Sequence, residues 1–356
     1  MPIRQLIVPA FALAVLAGAC SSSDDSATTT TSEDNEPGTS LPTSEVAAAP
    51  GCEATDGAVV GYSEPLPDPN FAIVEAVLEQ ELAKVGATVM PVNANLDPGK
   101  QISDINTLQQ QGIDVLLVNP VDPNAVQDVL GGIMDSGTPV IVQDTQVGGP
   151  YTSSVQSDSG QAASDGAKLL AANADGGTVV AMKGPPFAEI LERSRTSFEE
   201  EAAAQGLEIA DFQTNMAITP DAARQVAEQW KQQYGEDLAG IWTFNDVSAI
   251  GVASTFDGDF APMLVSVNGQ PDAIPLVEAG KIAATYDLQV DMAGRALAYA
   301  AIESICGNEL PKEIWIGSKV VDKSNVADWV PPEERAQEPM AVELEQRDGK
   351  SYVKGS

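Results

Sequence analysis

Amide and carboxylate side chains stand where the short apolar runs of this chain stop. Asn119 and Asp122 follow such a run in GIDVLLVNPVDPNAV (Gly112–Val126), and Asn245 and Asp246 follow one in AGIWTFNDVSAIGV (Ala239–Val252). In both copies a helix-like apolar stretch comes next. A second run then ends in one polar residue: Asp144 in TPVIVQDT and Asn268 in APMLVSVNGQPD. Amides and carboxylates at such positions are suited to holding a ligand by hydrogen bonds. The chain has no His, which removes Ser-His and Cys-His catalysis and most zinc sites. Asp68 and Asp144 could be cast as the carboxylate pair of a glycoside hydrolase. No independent catalytic signature accompanies them, so the residues favour binding over turnover. Neither a metal nor a cofactor is expected.

Groups of this kind must be held at the carboxyl edge of parallel strands, where open α/β sheets bind ligands. The required elements can be read along the chain. Ala58–Pro65 reads as a strand. Phe71, Val74, Leu78, Leu82 and Val85 recur at helical spacing, with Gly86 as the stop. ATVMPVNA is the next strand, and Ile102, Ile105 and Leu108 mark the helix before Gly112. The alternation resumes with a helix over Gln161–Asn173, a strand at GTVVAM and an acidic amphipathic helix over Ala188–Gln205. Thr219-Pro220-Asp221 opens another helix with a cap, a proline at its first position and an acid suited to the dipole. Trp230 lies on that helix's apolar side and is expected in the core. Strands at Gly240–Phe244, Met263–Val267 and Ile282–Tyr286 complete a second unit. Two such units predict two α/β lobes whose polar strand ends face one another across a cleft.

The ends and the composition limit what such a protein can do. Arg4 and the apolar stretch Leu6–Ala19 read as an export signal, too short to cross a bilayer as a helix. The stretch ends in LAGAC, which resembles a lipobox with Cys20 as the lipid-modified residue; Ala17 stands where Leu is usual, and an ordinary secretory signal is the alternative. Residues 21–50 carry six acids, no Lys or Arg and little to bury, the composition of a disordered tether. Against 18 Lys and Arg the chain has 52 Asp and Glu, a net charge of −34. Binding to nucleic acid is therefore excluded as a function, since that affinity comes from neutralising phosphates. Beyond Cys20 only Cys52 and Cys306 remain. In an oxidising compartment a disulfide joins them if both lie at the bottom of one lobe; two unrelated buried thiols are the alternative.

Taken in order, NLDPGKQISDINTLQQQGIDVLLVNPVDPNAVQDVL, GTPVIVQDT, FND, NGQPD and AGKIAATYD resemble the periplasmic sugar-binding proteins of the ribose-binding type, over roughly Val59–Val321. The resemblance implies the type 1 periplasmic binding protein fold: two lobes, each a parallel sheet with helices on both faces, joined by a three-stranded hinge. The implied crossings fall near Ser157–Asp158, Leu288–Gln289 and Gly317–Ser318. The organisation is then a lipoprotein signal peptide (1–19), a lipid-anchored disordered linker (20–55), an N-terminal lobe (56–157 with 289–317), a C-terminal lobe (158–288 with 318–335) and a polar tail (336–356). The hinge would place Cys52 and Cys306 in one lobe, as a disulfide requires.

The resemblance also implies site residues. Asp68-Pro69-Asn70-Phe71 matches a family Asn-Pro-Phe-Phe turn, which makes Asp68, Asn70 and Phe71 ligand candidates; Phe71 also fits its helix's apolar face, and Asp68 or Asn70 could simply cap the helix. Asp144-Thr145 matches an Asp-Arg pair, so the carboxylate is kept and the arginine lost. In LERSRTSF, Arg195 is preferred to Arg193 for a displaced second arginine, each having a solvated helix face as its alternative. Asn245 matches a ligand-binding Asn, and Asn268 replaces an Asp. Leu288 stands where a Gln is expected, with Asp287 and Gln289 beside it as substitutes. Trp242, Phe244, Phe187 and Tyr286 are candidates for a stacking face. The function implied is capture of a sugar, polyol or similar small hydroxylated solute by hinge closure, for the permease subunits of an ABC-type importer; a sensory protein presenting its ligand to a membrane receptor is the alternative. The chain is expected to be a monomer in the cell envelope, lipid-anchored to the outer face of the cytoplasmic membrane.

Overall fold

A computed structural model describes residues 52–186, 188–256, 261–338 and 340–356. The export signal, Cys20, most of the 20–55 linker and Phe187 lie outside the described residues. Strand and helix alternate from the start: β1 (Val59–Glu64), α1 (Pro69–Ala83), β2 (Thr88–Asn93), α2 (Pro98–Gln110), β3 (Val115–Val118), α3 (Gln127–Asp135), β4 (Val140–Gln143) and β5 (Ser153–Ser157). A second series follows with α4 (Ser159–Asn173), β6 (Thr178–Lys183), α5 (Glu189–Ala204), β7 (Ile209–Thr214), α6 (Pro220–Tyr234), β8 (Leu238–Thr243), α7 (Asp246–Ala253), β9 (Met263–Asn268), α8 (Ile274–Glu278) and β10 (Ala284–Asp287). The chain ends with α9 (Val290–Ile305), β11 (Glu313–Ile316), β12 (Lys319–Asp322), α10 (Pro332–Arg335), β13 (Leu344–Arg347) and β14 (Lys350–Val353).

These strands form two sheets, ordered β13-β14-β11-β5-β4-β3-β1-β2 and β12-β10-β9-β8-β6-β7. All pairings are parallel except β10 with β12 and β13 with β14. Strands buried on both faces read as unbroken apolar runs. In β3, Val115 and Leu117 face the core under α1 and α9, while Leu116 and Val118 face that under α2 and α3. In β6, Val180 and Met182 pack with Trp230, and Val179 and Ala181 pack with Phe198 and Trp242. Three helices begin alike: Asp68, Asp97 and Thr219 cap α1, α2 and α6 through side-chain oxygens, each just before a proline at the first helical position. α9 approaches α1 closely at Gly294, where a Cβ would sit 2.7 Å from the carbonyl oxygen of Val74.

Chain order and sheet order together define the hinge. The chain leaves the first sheet at Ser157, returns from the second after Asp287, and leaves the first again after Ile316. Beyond β12 the structure departs from the sequence reading. Residues 336–356, read as a polar tail, contain a hairpin whose β14 adds parallel to β11 at the edge of the first sheet, with Ile314 opposite Ser351 and Trp315 opposite Tyr352. Before that hairpin, Arg335 of α10 bonds to α9, so the chain passes a fourth time between the lobes. The fully buried Arg295 of α9 holds this passage, its Nη2 donating to the carbonyls of Arg335 (3.0 Å), Ala336 (3.1 Å) and Glu338 (2.6 Å). At the other end of α9, Cys306 is bonded to Cys52, closing a separation of 254 residues. Part of the segment read as linker is structured: Glu53–Thr55 form a single 3-10 turn with Thr55 buried.

Candidate functional site

A cavity of about 290 Å³ opens between the carboxyl edges of the two sheets, at the lower end of the range of about 300–1,000 Å³ usual for small-molecule sites. The first lobe supplies polar groups from its strand ends and first helix: Asp68, Asn70, Asn119, Gln143, Asp144, Thr145 and Ser157. Among the described residues, Phe71, on the first turn of α1, is the aromatic side chain in the wall. The second lobe contributes Ala188, Glu189, Ile190, Leu191 and Asn268, and Leu288 enters from the second hinge crossing.

Buried hydrogen bonds set this wall in place. Gln101 of α2 is fully buried and pins the loop after β3: its Nε2 donates to the carbonyl of Asn119 (2.9 Å) and its Oε1 accepts the Val121 N–H (2.8 Å). The Tyr62 hydroxyl donates to Gln143 Oε1 at 2.9 Å, fixing that amide beside Asp144. Asp144 has a left-handed backbone (φ 52°) and accepts the Ser157 N–H at 2.7 Å, which ties the fourth strand's end to the first crossing. Asn268, also at positive φ (117°), ends β9. Non-glycine residues in these regions carry strain of order 1–3 kcal/mol and gather at ligand clamps. Behind the wall, Arg193 donates from Nη1 to Gln156 Oε1 (3.1 Å) and from Nη2 to the Ser157 carbonyl (3.3 Å). Burial pushes the Asp144 carboxyl above its usual range, an effect tempered by the Ser157 N–H and by the nearby Arg193 charge.

Five of the nine residues read from sequence line this cavity: Asp68, Asn70, Phe71, Asp144 and Asn268. Asp68 does two things, since its carboxylate also accepts the Asn70 N–H at 2.8 Å as the cap of α1. The other four lie elsewhere. Asn245 is the buried N-cap of α7, accepting the Ser248 N–H at 2.9 Å. Beside it, Asp246 accepts from Thr285 Oγ1 and the Gln270 N–H, both at 2.7 Å, and burial raises its pKa to about 6. Arg195 is turned off the cleft and paired with Glu192 and Glu199 on its own helix; two residues along a helix are a rotation of about 200°, so Arg193 is the one that reaches the hinge. Asp287 and Gln289 are buried in the second crossing. Gln289 Nε2 donates to the Gly317 carbonyl (2.9 Å), while Asp287 accepts from Arg335, Trp329 Nε1 and the Gln289 N–H. Gly269 lets the chain pass this point: a Cβ there would lie 2.7 Å from Asp287 Cα. The stacking candidates Trp242, Phe244 and Tyr286 belong to the core of the second lobe, Trp242 stacking on Phe198 at 4.3 Å.

Sequence reasoning missed Glu189, Ile190 and Leu191 at the start of α5, as well as Leu66, Leu96, Gln143 and Ser157. Gln143 and Ser157 are the last residues of β4 and β5, which was a usable signal. The apolar ones carry none that separates them from core.

Two α/β lobes on crossing strands, with a ligand-sized gap between their polar edges, define a hinged clamp for a small solute. The chain belongs to the periplasmic binding protein family: the periplasmic binding protein domain matches residues 65–309. It is 29% identical over 257 residues to the ribose import binding protein RbsB of Bacillus subtilis (strain 168), covering 70% of this chain and 82% of that protein. Among solved structures it resembles the periplasmic ribose ABC transporter protein of Conexibacter woesei DSM 14684, with a TM-score of 0.71, 23% identity, and coverage of 77% of this chain and 95% of that one. The myo-inositol binding protein of Caulobacter gives a TM-score of 0.67 at 23% identity, covering 76% and 94%.

Proposed function

We propose that this protein is the exported solute-binding component of an ABC-type importer, and that it captures a sugar, polyol or similar small hydroxylated solute. One observation carries the reading: a cavity whose polar wall is built from strand ends of one lobe and closed by residues of the other. A ligand that touches both lobes stabilises the closed form by contacts absent from the open one, which is how a hinge is driven shut. The closed form then docks on permease subunits. Relatives named for ribose import and for myo-inositol binding support the same class of solute. The LAGAC sequence and the acidic segment after it support a tether through a lipid on Cys20 to the outer face of the cytoplasmic membrane.

The test is a thermal-shift screen of the exported protein against sugars and polyols. A true ligand at a thousandfold excess over its Kd adds about 4 kcal/mol of stability. Asp144→Ala and Asn268→Ala are each expected to abolish that shift while the unliganded protein still folds cooperatively. Shifts of wild-type size in both variants, or no shift with any solute, refute the assignment.

A further inference from the structure

We propose that the cavity selects a neutral, two-faced solute, with hydroxyls held by the first lobe and an apolar face, such as a deoxy or methyl carbon, laid against the second. This rests on the reading of the site as a sugar or polyol clamp and narrows it. Most of the polar lining belongs to the first lobe, which also carries apolar residues such as Leu66, Phe71 and Val74. Asn119, Asp144 and Thr145 offer hydrogen-bonding groups from the strand ends of the first lobe. Opposite them stand Ile190 and Leu191 on the first turn of α5, and Leu288 at the second crossing. The polar groups on that side are Asn268 and Glu189, one of whose carboxylate oxygens accepts the Gln146 N–H at 2.5 Å.

Charge narrows the class further. Asp68, Asp144 and Glu189 line the cavity, and among the described residues no Lys or Arg does. Arg193, the nearest candidate, spends its guanidinium on Gln156 and the Ser157 carbonyl behind the wall. An anionic solute would therefore meet carboxylates without a compensating cation, and burying a charge unpaired is costly. At the mouth, Leu96 is 49% exposed and held at φ 59°, an uncommon backbone for a leucine. It presents apolar surface to whatever enters.

The experiment is titration calorimetry on the full mature chain with matched triplets that differ only at C6: a hexose, its 6-deoxy analogue and its uronate, in the gluco and galacto configurations, alongside D-ribose and myo-inositol. Exchanging a hydroxymethyl for a methyl group against an apolar wall is expected to tighten binding about tenfold or more, by the scale of one group in a hydrophobic pocket. The uronate should bind at least about tenfold more weakly than its neutral parent. Ile190→Asn and Leu288→Gln should each bring the deoxy-to-parent ratio toward unity; Ile190 is only half-buried, so its variant stands in if Leu288→Gln fails to fold. A parent hexose that binds as tightly as its deoxy analogue, a uronate that binds best, or an unchanged ratio in Ile190→Asn overturns the proposal while leaving solute capture intact. If no member of the panel, ribose and inositol included, gives saturable heat, the proposed function fails and this inference fails with it.

Discussion

Replacing Arg335 with Met tests whether the C-terminal passage braces the hinge. The Arg335 guanidinium sits between two buried carboxylates. Nη1 donates to Asp287 Oδ2 at 2.6 Å, and Nη2 and Nε donate to Asp291 Oδ1 at 2.7 and 3.0 Å. The Asp287 and Asp291 side chains are 3% and 6% exposed, that of Arg335 24%. Removing one partner of a buried pair costs about 3–5 kcal/mol, because the remaining charge stays buried without compensation. Partial exposure of Arg335 and the Trp329 Nε1–H that Asp287 keeps at 3.0 Å put the expected loss near the lower end, about 3 kcal/mol. In a chain of this size that is about 5 °C in Tm. The assay is thermal and urea unfolding of wild type, Arg335→Met, and the triple variant that adds Asp287→Asn and Asp291→Asn. Neutralising both carboxylates should recover most of the loss, and hydrogen exchange in Arg335→Met should speed first at residues 287–291. A single variant that loses less than about 1 kcal/mol, or a triple variant no more stable than the single, refutes the claim that this arginine balances those two charges.

Two further changes separate stability from binding. Reducing Cys52–Cys306, or replacing both with Ser, opens a loop of 254 residues; chain entropy sets the loss at about 5 kcal/mol. The bridge lies at the far end of α9 from the cavity, roughly 24 Å along the helix, so calorimetry on the variant should return an unchanged Kd, and a shifted Kd would contradict this placement. Glu64→Gln should stabilise the protein above neutrality. Burial, then the nearby Glu75 charge, raise the Glu64 pKa from 4.5 to about 7, and its Oε1 has no partner. A raised carboxyl contributes stability that is fully present below pH 4.5 and lost as pH rises through 7. The variant should therefore gain about 3 kcal/mol at pH 8 and nothing near pH 4; an equal gain at both would show that the charge is not the cause.

Strand ends were readable because a run buried on both faces can stop only at the sheet edge, and the Thr219-Pro220 pair marked the start of α6. The same logic explains where site reading failed. A polar side chain just past a strand has two uses, ligand contact and helix capping, and composition does not tell them apart. Asp68 serves both, capping α1 and lining the cavity. α7 begins at Asp246, directly after Asn245, so Asn245 is consumed as a cap; no helix follows Asp144 before β5, and its carboxyl is left facing the cleft. Arg195 lost to Arg193 because the helical phase of α5 is set by the burial of Ser194 and Phe198, which no alignment by position can supply. The hairpin at 344–353 was hidden by its charge, yet charged residues are what an exposed sheet edge requires. Asp348-Gly349, both at positive φ, is the turn pair that twists two strands into a hairpin. That signal was in the sequence, and a polar tail containing it should have been read as an edge. The apolar wall was hidden for a different reason. Ile190, Leu191 and Leu288 differ from core residues only in what lies opposite them, and that is settled when two lobes meet across a hinge, by contacts far apart in the chain.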